Sequence, residues 1–454
     1  MKYFGTDGIR DRVTGPLLDQ KFVFRLGRAV GRWMRQSPAS ASYHVAIGRD
    51  TRSSGGYLFL SLARGLDAEK IKIFDAGVCP TPAVATTVRD LNLNMGIVIT
   101  ASHNPATDNG IKLFGPSGFK LREEQEEEIE AILDSIPEAS SEDFEFTPAV
   151  RYYEARRHYL DHYEDILPDG ALMGIRIVLD CSNGATYRTS GELLGRFGAQ
   201  VIPFGCEPTG DNINADVGSE NPQVISKATV ELNAHLGISH DGDGDRVILC
   251  DHLGRVIDGD AVLAILGNGW AARNELPGMA VVATIMSNLG LDKCLADAGV
   301  RLERVGVGDR QVFYAMQKAG YVLGGEASGH FIAMNHLPTG DGLLAALLVL
   351  REMMKSEKTL ADLASIFSPF PQLKKNLNVK QKLPLEEQTA LQNALNSLNG
   401  RLGQRGRILL RYSGTEPKIR LLAEAEDPDL ATNTMEELES LVHTHLPVTQ
   451  STPL

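Results

Sequence analysis

Apolar positions along the chain follow two alternating rhythms. Short runs rich in branched residues, at 45–48, 71–75 and 95–100, read as buried strands. Around them lie stretches with helical spacing; over 21–34, Phe22, Leu26, Val30 and Trp33 fall on one face. The acidic run 122–130 leads into Ile129, Ile132 and Leu133 and predicts a helix with a solvated, charged face. The Ser-, Pro- and acid-rich segment 135–150 reads as a linker.

Beyond it the alternation resumes. It predicts a helix over 152–166, a strand at 175–180, a helix to about 197, and strands at 200–204, 236–240 and 247–251. The turn segment 252–260 opens a third unit. There a helix from Ala261, strands at 280–285 and 302–305, a helix from Gln311, a strand at 321–323 and a helix from 341 to about 355 are expected. Residues 368–375 break the pattern before a smaller unit of strands and two helices. The fold class is α/β, in three similar mixed-sheet units at 1–150, 151–254 and 255–367 and an α+β unit at 368–454.

Bulk properties narrow the function. Length alone, 454 residues, allows roughly three domains at ~150 residues each. A net charge of −13 argues against nucleic acid as a partner, because affinity for phosphate backbones needs a basic surface. It leaves room for one small anion held by a local arginine cluster. The apolar run 343–350 is too short to span a bilayer, and the opening MKYFGTDGIR has no signal-peptide core, so no membrane association and a cytoplasmic location are expected. Five cysteines without paired spacing read as reduced thiols.

Four polar loops carry the candidate chemistry. Thr100-Ala-Ser-His-Asn-Pro105 follows a strand and offers Ser102 as a hydroxyl able to carry a phosphoryl group, or is simply an Asn-Pro turn. His103 is adjacent, but neighbours in sequence point apart, so a Ser–His base pair is not expected. Asp241-Gly-Asp-Gly-Asp-Arg246 alternates three carboxylates with glycines, and a hard divalent cation resolves their mutual repulsion. It is not an EF-hand, since Arg246 and His252 stand where a glycine and a glutamate are needed. In Gly324-Gly-Glu-Ala-Ser-Gly-His330, an extended loop would face Glu326 and Ser328 the same way, toward hydroxyls or an amine; a polar hairpin is the plainer reading. Arg411-Tyr-Ser-Gly-Thr-Glu-Pro417, with Arg420, offers hydroxyls, backbone N–H groups and guanidinium forks suited to phosphate. Gly308-Asp309-Arg310 either binds substrate or caps a helix, and His158 and His162 read as a solvent-facing pair.

The motifs TASHNP, DGDGDR, GEASGH and RYSGTEP, with the opening FGTDGIR, resemble those of the α-D-phosphohexomutase family, in the same order along nearly the whole chain. The opening and GVGDR are most similar to the phosphoglucosamine mutase branch. Departures from the family pattern are Asp11 after GIR, Tyr412 in place of a proline, and Ala327 in place of a glutamine. The resemblance implies a four-domain, heart-shaped architecture in which Ser102 is a phosphoserine and Asp241, Asp243 and Asp245 hold one Mg²⁺ together with a phosphoserine oxygen. It implies sugar contacts at Glu326, Ser328, Gly308 and Asp309, and a phosphate seat at Arg411, Ser413, Gly414, Thr415 and Arg420. Arg10, Lys112, His103, Arg246 and His330 match the family's catalytic and cationic lining, with Lys112 placed to manage a proton. The implied activity interconverts glucosamine 6- and 1-phosphates through a 1,6-bisphosphate, with glucosamine or glucose bisphosphate as primer, supplying amino-sugar nucleotide and cell-wall precursor synthesis. A monomer or homodimer acting on a hexosamine phosphate is expected. Phosphoglucomutase or phosphomannomutase activity on the same scaffold, and a phosphohydrolase using Asp241 as nucleophile, are the competing readings.

Overall fold

In the computed structural model these runs sort into two units. One comprises Met1–Met286 and Ala298–Ile366, the other Ser287–Asp297 and Phe367–Leu454. The structure describes residues 1–36, 42–138, 149–152, 154–413 and 417–449. Most of the expected linker, 139–148, lies outside the described residues.

The first unit holds three sheets. The first is built from β1 (Ile9–Arg12), α1 (Gln20–Gln36), β2 (His44–Arg49), α2 (Gly55–Ala68), β3 (Lys72–Val78), α3 (Thr81–Asp90), β4 (Met95–Ile99), β5 (Asp108–Phe114), α4 (Glu123–Ser135) and β6 (Val150–Arg151). Its strand order is β1-β5-β4-β2-β3-β6, with β5 antiparallel to β4 and the β4-β2-β3-β6 set parallel. After α5 (Ala155–Asp161) the second sheet uses β7 (Arg176–Asp180), α6 (Ser190–Arg196), β8 (Gln200–Phe204), α7 (Pro222–Glu231), β9 (Leu236–His240), β10 (Val247–Asp251) and β11 (Val256–Ile257), in the order β11-β10-β9-β7-β8.

The third sheet follows α8 (Gly259–Ala272) and contains β12 (Ala280–Thr284), β13 (Arg301–Val305), β14 (Leu323–Gly325) and β15 (Phe331–Ala333), in the order β13-β12-β14-β15. Helix α9 (Leu289–Asp297), between β12 and β13 in sequence, belongs to the second unit. Helices α10 (Asp309–Ala319), α11 (Gly342–Ser356) and α12 (Leu360–Ala364) complete the first. The second unit adds β16 (Gln372–Asn378), α13 (Thr389–Leu402), β17 (Gly406–Tyr412), β18 (Lys418–Ala425) and α14 (Pro428–His445), its antiparallel sheet ordered β16-β18-β17.

The first three sheets share one plan. Each has a parallel set whose last member turns back into an antiparallel partner: β4 into β5, β9 into β10, β14 into β15. The connecting loop therefore leaves the C-terminal end of a parallel strand, where open α/β sheets present ligand-binding groups. Ser102, the DGDGDR loop and the GEASGH loop occupy this same corner in successive sheets.

Packing follows the expected pattern in most places. Leu26 and Val30 of α1 and Ile129 and Leu133 of α4 bury against Ile47, Ile97, Ile99 and Ile111 of the first sheet. Trp33 sits at the rim of this layer and donates its indole N–H to Glu128 at 2.7 Å. The run 343–350 is a helix buried on all sides, and among the described residues no helix is long and apolar enough to cross a membrane. In the second unit, Leu391, Leu395 and Leu398 pack with Leu438 and Val442 over Ile419 and Leu421.

Three expectations shift. The strand placed at 321–323 is Leu323–Gly325, and the helix placed at 152–166 is regular only over Ala155–Asp161. More consequential is the acidic run, which is not merely a solvated face. Glu126 and Glu130 are buried. Glu130 accepts from the backbone N–H groups of Lys2, Tyr3 and Phe4 at 2.6–2.7 Å, tying down the chain's start. Arg310 of α10 donates both terminal nitrogens to Glu126 at 2.8 and 3.0 Å, joining first and third sheets through a buried bidentate pair. Burial pushes the Glu126 carboxyl upward, and the bonds from Arg310 oppose that. Removing one partner of such a pair leaves the other charge buried and uncompensated. Glu126→Ala is accordingly expected to destabilise the first unit by about 3–5 kcal/mol, read as a lowered midpoint in urea unfolding.

Candidate active site

The three corner loops converge within the first unit. Val247 N–H bonds to the Gly329 carbonyl at 3.1 Å, and Arg246 and His330 form a bridge, joining the second and third loops. Thr81 N–H reaches the Asp243 carbonyl at 2.9 Å from the first sheet's side. A Cβ on Gly242 would lie 2.6 Å from the Ser102 carbonyl oxygen, so only glycine lets these two loops approach so closely.

Ser102 is buried, with φ of 51° in the left-handed region. Its hydroxyl donates to Asp241 Oδ2 at 2.6 Å, and His103 Nδ1 stands at 3.4 Å. The hydroxyl thus engages the acidic loop, and a Ser–His base pair is not its principal contact. His103 is held below the usual histidine range by burial and by Arg246.

Asp241, Asp243 and Asp245 are all buried and turn ligand oxygens to within 4.8 Å of one another. Asp241 Oδ1 accepts from the N–H groups of Gly244 at 3.1 Å and Arg246 at 3.2 Å. Asp243 Oδ2 accepts from Thr81 Oγ1 at 2.7 Å and from Lys112 Nζ at 2.8 Å. The Oδ1 atoms of Asp243 and Asp245 are enclosed and have no hydrogen-bond partner. Two orphaned carboxylate oxygens beside a third acid are costly unless a cation takes them, and an all-oxygen donor set suits Mg²⁺ or Ca²⁺. Burial, then the charges of Asp245 and Asp243, push the Asp241 carboxyl far upward. Asp245 goes the other way: burial would raise it, but Lys112, His330 and Arg246 bring it down to about 2.

Cations line the same space. Lys112, fully buried on β5, lies 2.8, 3.3 and 3.2 Å from Asp243, Asp245 and Asp7. Burial alone would lower its pKa, yet these carboxylates hold it well above the usual lysine value. Arg10 pairs with Asp7. Arg246 lies 3.6 Å from Glu220 and 3.9 Å from Asp245; burial opposes its charge, and Asp241 and Asp245 outweigh burial. The buried imidazole of His330 stands between Asp245 at 3.9 Å and Asp309 at 3.8 Å, and its Nε2 has no hydrogen-bond partner.

Asp309 does not cap its helix. Gly308 occupies the cap position, and the Asp309 carboxylate takes Lys120 Nζ at 2.5 Å. The Glu326 loop is not extended but a tight turn, closed by Gly329 N–H to the Glu326 carbonyl at 3.0 Å. The Glu326 carboxylate accepts from Gly308 N–H at 3.2 Å, while Ser328 is exposed. Sequence patterning does not flag Asp7, Lys120 or Thr81, although each is integral to this network. Lys120 bridges Asp7 and Asp309 from a turn after β5, and nothing in its local sequence marks it apart from a surface lysine.

Asp11, the departure after GIR, has a local role: its carboxylate accepts from the N–H groups of Arg12 at 2.8 Å and Leu17 at 3.1 Å, closing a turn. In the second unit, Arg411 and Arg420 face each other across β17 and β18. Arg420 Nη2 donates to Ser413 Oγ at 3.3 Å. Like charges directly opposite on a sheet repel, and an anion between them would offset that. Burial, then Arg420, lower the Arg411 pKa. Tyr412, where the motif departs from proline, accepts Leu383 N–H on its hydroxyl at 3.1 Å. Gly414 and Thr415 lie outside the described residues.

Comparison with known proteins agrees with this construction. The chain matches phosphoglucomutase/phosphomannomutase alpha/beta/alpha domain I over residues 1–140, domain II over 157–254, domain III over 258–370 and the C-terminal domain over 354–441. It is 43% identical over 444 residues to a phosphoglucosamine mutase of Paracoccus denitrificans (strain Pd 1222), covering 97% of this chain and 98% of that protein. A phosphoglucosamine mutase of Maricaulis maris (strain MCS10) is 44% identical over 428 residues, covering 94% and 95%. Among solved structures, a phosphoglucomutase/phosphomannomutase family protein from Burkholderia thailandensis superposes with a TM-score of 0.81 at 22% identity, over 98% of this chain and 99% of that one. An Aspergillus fumigatus N-acetylphosphoglucosamine mutase, solved with GlcNAc-6P and magnesium, gives 0.66 at 17% identity, over 98% and 96%. With four successive domains matched and such identity kept over nearly the full length, the chain belongs to the phosphoglucomutase/phosphomannomutase family, the α-D-phosphohexomutases that its motifs resemble.

Proposed function

We propose that this protein interconverts glucosamine 6-phosphate and glucosamine 1-phosphate through a phosphorylated Ser102. The observation that carries the reading is the Ser102 hydroxyl, buried and 2.6 Å from one of three clustered aspartates. The phosphoglucosamine mutase relatives, similar from end to end, favour the amino sugar.

In this mechanism phosphoserine transfers its phosphoryl group to O1 of the 6-phosphate, or to O6 of the 1-phosphate. The Ser102 Oγ–P bond breaks, a sugar O–P bond forms, and the sugar hydroxyl loses its proton. The bisphosphate then turns over, and its other phosphoryl group returns to Ser102, restoring the phosphoenzyme. Glucosamine or glucose bisphosphate would prime the first cycle. Asp241, Asp243 and Asp245 would hold Mg²⁺, which supplies positive charge where the transferring phosphoryl oxygens gather negative charge. Lys112, 2.8 Å from Asp243, and His330, whose buried Nε2 has no hydrogen-bond partner, are the groups placed to take the sugar hydroxyl's proton. Arg10 and Arg246 add positive charge for the phosphate groups. Glu326, beside Gly308, offers its carboxylate to the sugar's hydroxyls and ammonium, with Ser328 and Asp309 as further polar contacts. Arg411, Ser413 and Arg420 bind a phosphate group of the substrate.

Replacing Ser102 with alanine should lower turnover by about 10⁴-fold or more, with phosphate loading lost from intact-mass measurement. An aspartyl-phosphate hydrolase would keep its activity in that variant. Among glucosamine, glucose and mannose phosphates, kcat/KM should be highest for glucosamine; a higher value for either of the others assigns a different sugar. Mg²⁺ at about 100 times its Kd should stabilise the protein by about 2.7 kcal/mol, and the Asp243→Asn/Asp245→Asn double variant should lose that shift in thermal unfolding.

A further inference from the structure

We propose that Arg52 is the positioning residue that holds the Ser102 loop in its reacting shape, acting from beneath the loop and not on the substrate. The inference rests on the phosphoserine reading above. Arg52 lies just after β2, its side chain 0% exposed and paired through Nε with Asp50 Oδ2 at 2.9 Å. Its remaining donors all go to main-chain carbonyls of the Ser102 loop and of Asp108, where β5 begins. Nη2 donates to Ser102 at 3.0 Å and Asn104 at 2.8 Å. Nη1 donates to Asp108 at 2.9 Å and also to Pro105. A guanidinium has five N–H donors in a fixed fork, and here every one has an acceptor.

The same acid anchors the loop from its other end. Asp50 Oδ2 accepts from Thr100 Oγ1 at 2.6 Å, and Thr100 Oγ1 accepts from Ser102 N–H at 2.9 Å. Both backbone polar groups of Ser102 thus lead to the Asp50–Arg52 pair. Asn214, from the second sheet's side, adds Nδ2 bonds to the Ser102 carbonyl at 2.8 Å and the Asn104 carbonyl at 2.9 Å. This grip explains how a serine persists at φ of 51°, a conformation that needs surrounding structure to enforce it.

The guanidinium is neutralised by Asp50 and spends its donors on carbonyls, so it has none left for a phosphate. What it provides is geometry. The Ser102 oxygen must lie in line with the transferring phosphorus twice per cycle, once as leaving group and once as attacking hydroxyl, and displacement by about 1 Å can cost about 10²-fold in rate. Lysine keeps the charge but is a point donor that cannot span four carbonyls.

The test compares Arg52→Lys, Asn214→Gly, the double variant and Ser102→Ala, each with saturating Mg²⁺ and bisphosphate primer. Arg52→Lys should lose about 100-fold in kcat with KM changed less than about threefold. Asn214→Gly, which removes no buried charge and suits the φ of 59° at that position, should lose about tenfold with the same split, and it carries the test should Arg52→Lys fail to fold. Because both side chains hold the same two carbonyls, the double variant should lose less than the product of the single losses. Phosphoserine in the variants should also release phosphate to water faster than in the parent when sugar is absent, a readout that loss of stability alone would not move. Folded Asn214→Gly and Arg52→Lys proteins with parental kcat and phosphoserine lifetime would overturn the proposal. If Ser102→Ala remains active, the phosphoserine reading itself fails, which separates the two outcomes.

Discussion

Three carboxylates confined to one dry corner are the constraint around which the rest of the first unit is arranged. At the separations seen here, unit charges repel by several kcal/mol in a partly desolvated site. The protein offsets this with Lys112 bonded to Asp243 and Asp245, with N–H groups turned onto Asp241, and with Arg246 at the loop's end. Two oxygens are still left over. The corner therefore keeps two enclosed carboxylate oxygens that a cation could take, within reach of the Ser102 hydroxyl.

Outward from this corner the charges alternate. Lys112 touches Asp7, Asp7 touches Lys120 and Arg10, Lys120 touches Asp309, and Asp309 lies near His330. Groups from the first and third sheets are locked into this chain, with the loop of the second sheet at its head. Lys112, Lys120, Asp309 and His330 are buried, so their links are expensive to break and help hold the three sheets in mutual register.

Much of this could be read in the amino-acid order. Strand–turn–strand corners and the glycine-spaced acids carry strong local signatures, because turns, glycines and closely spaced charges have few structural uses, whereas Ser102 stands out only through the ordered set of motifs around it. Contacts between distant segments are the part that local pattern hides. Lys120 and Glu126 look like surface residues within their own stretches, and become buried only because α10 and its Asp309 and Arg310 arrive from nearly two hundred positions away. Arg52 is hidden for the same reason: its acceptors are carbonyls, which have no side-chain identity to recognise. The α9 segment, set by sequence within the third α/β unit, packs with the C-terminal sheet, where Leu289 N–H meets Glu424 at 2.9 Å.

The left-handed backbone at Ser102 also limits which alcohol the loop can carry there. Threonine carries the same hydroxyl and would satisfy the chemistry. Its second β-substituent, however, crowds a positive-φ main chain, where branched residues are genuine outliers. Selection of an unbranched alcohol is thus enforced by torsional sterics before any question of reactivity arises.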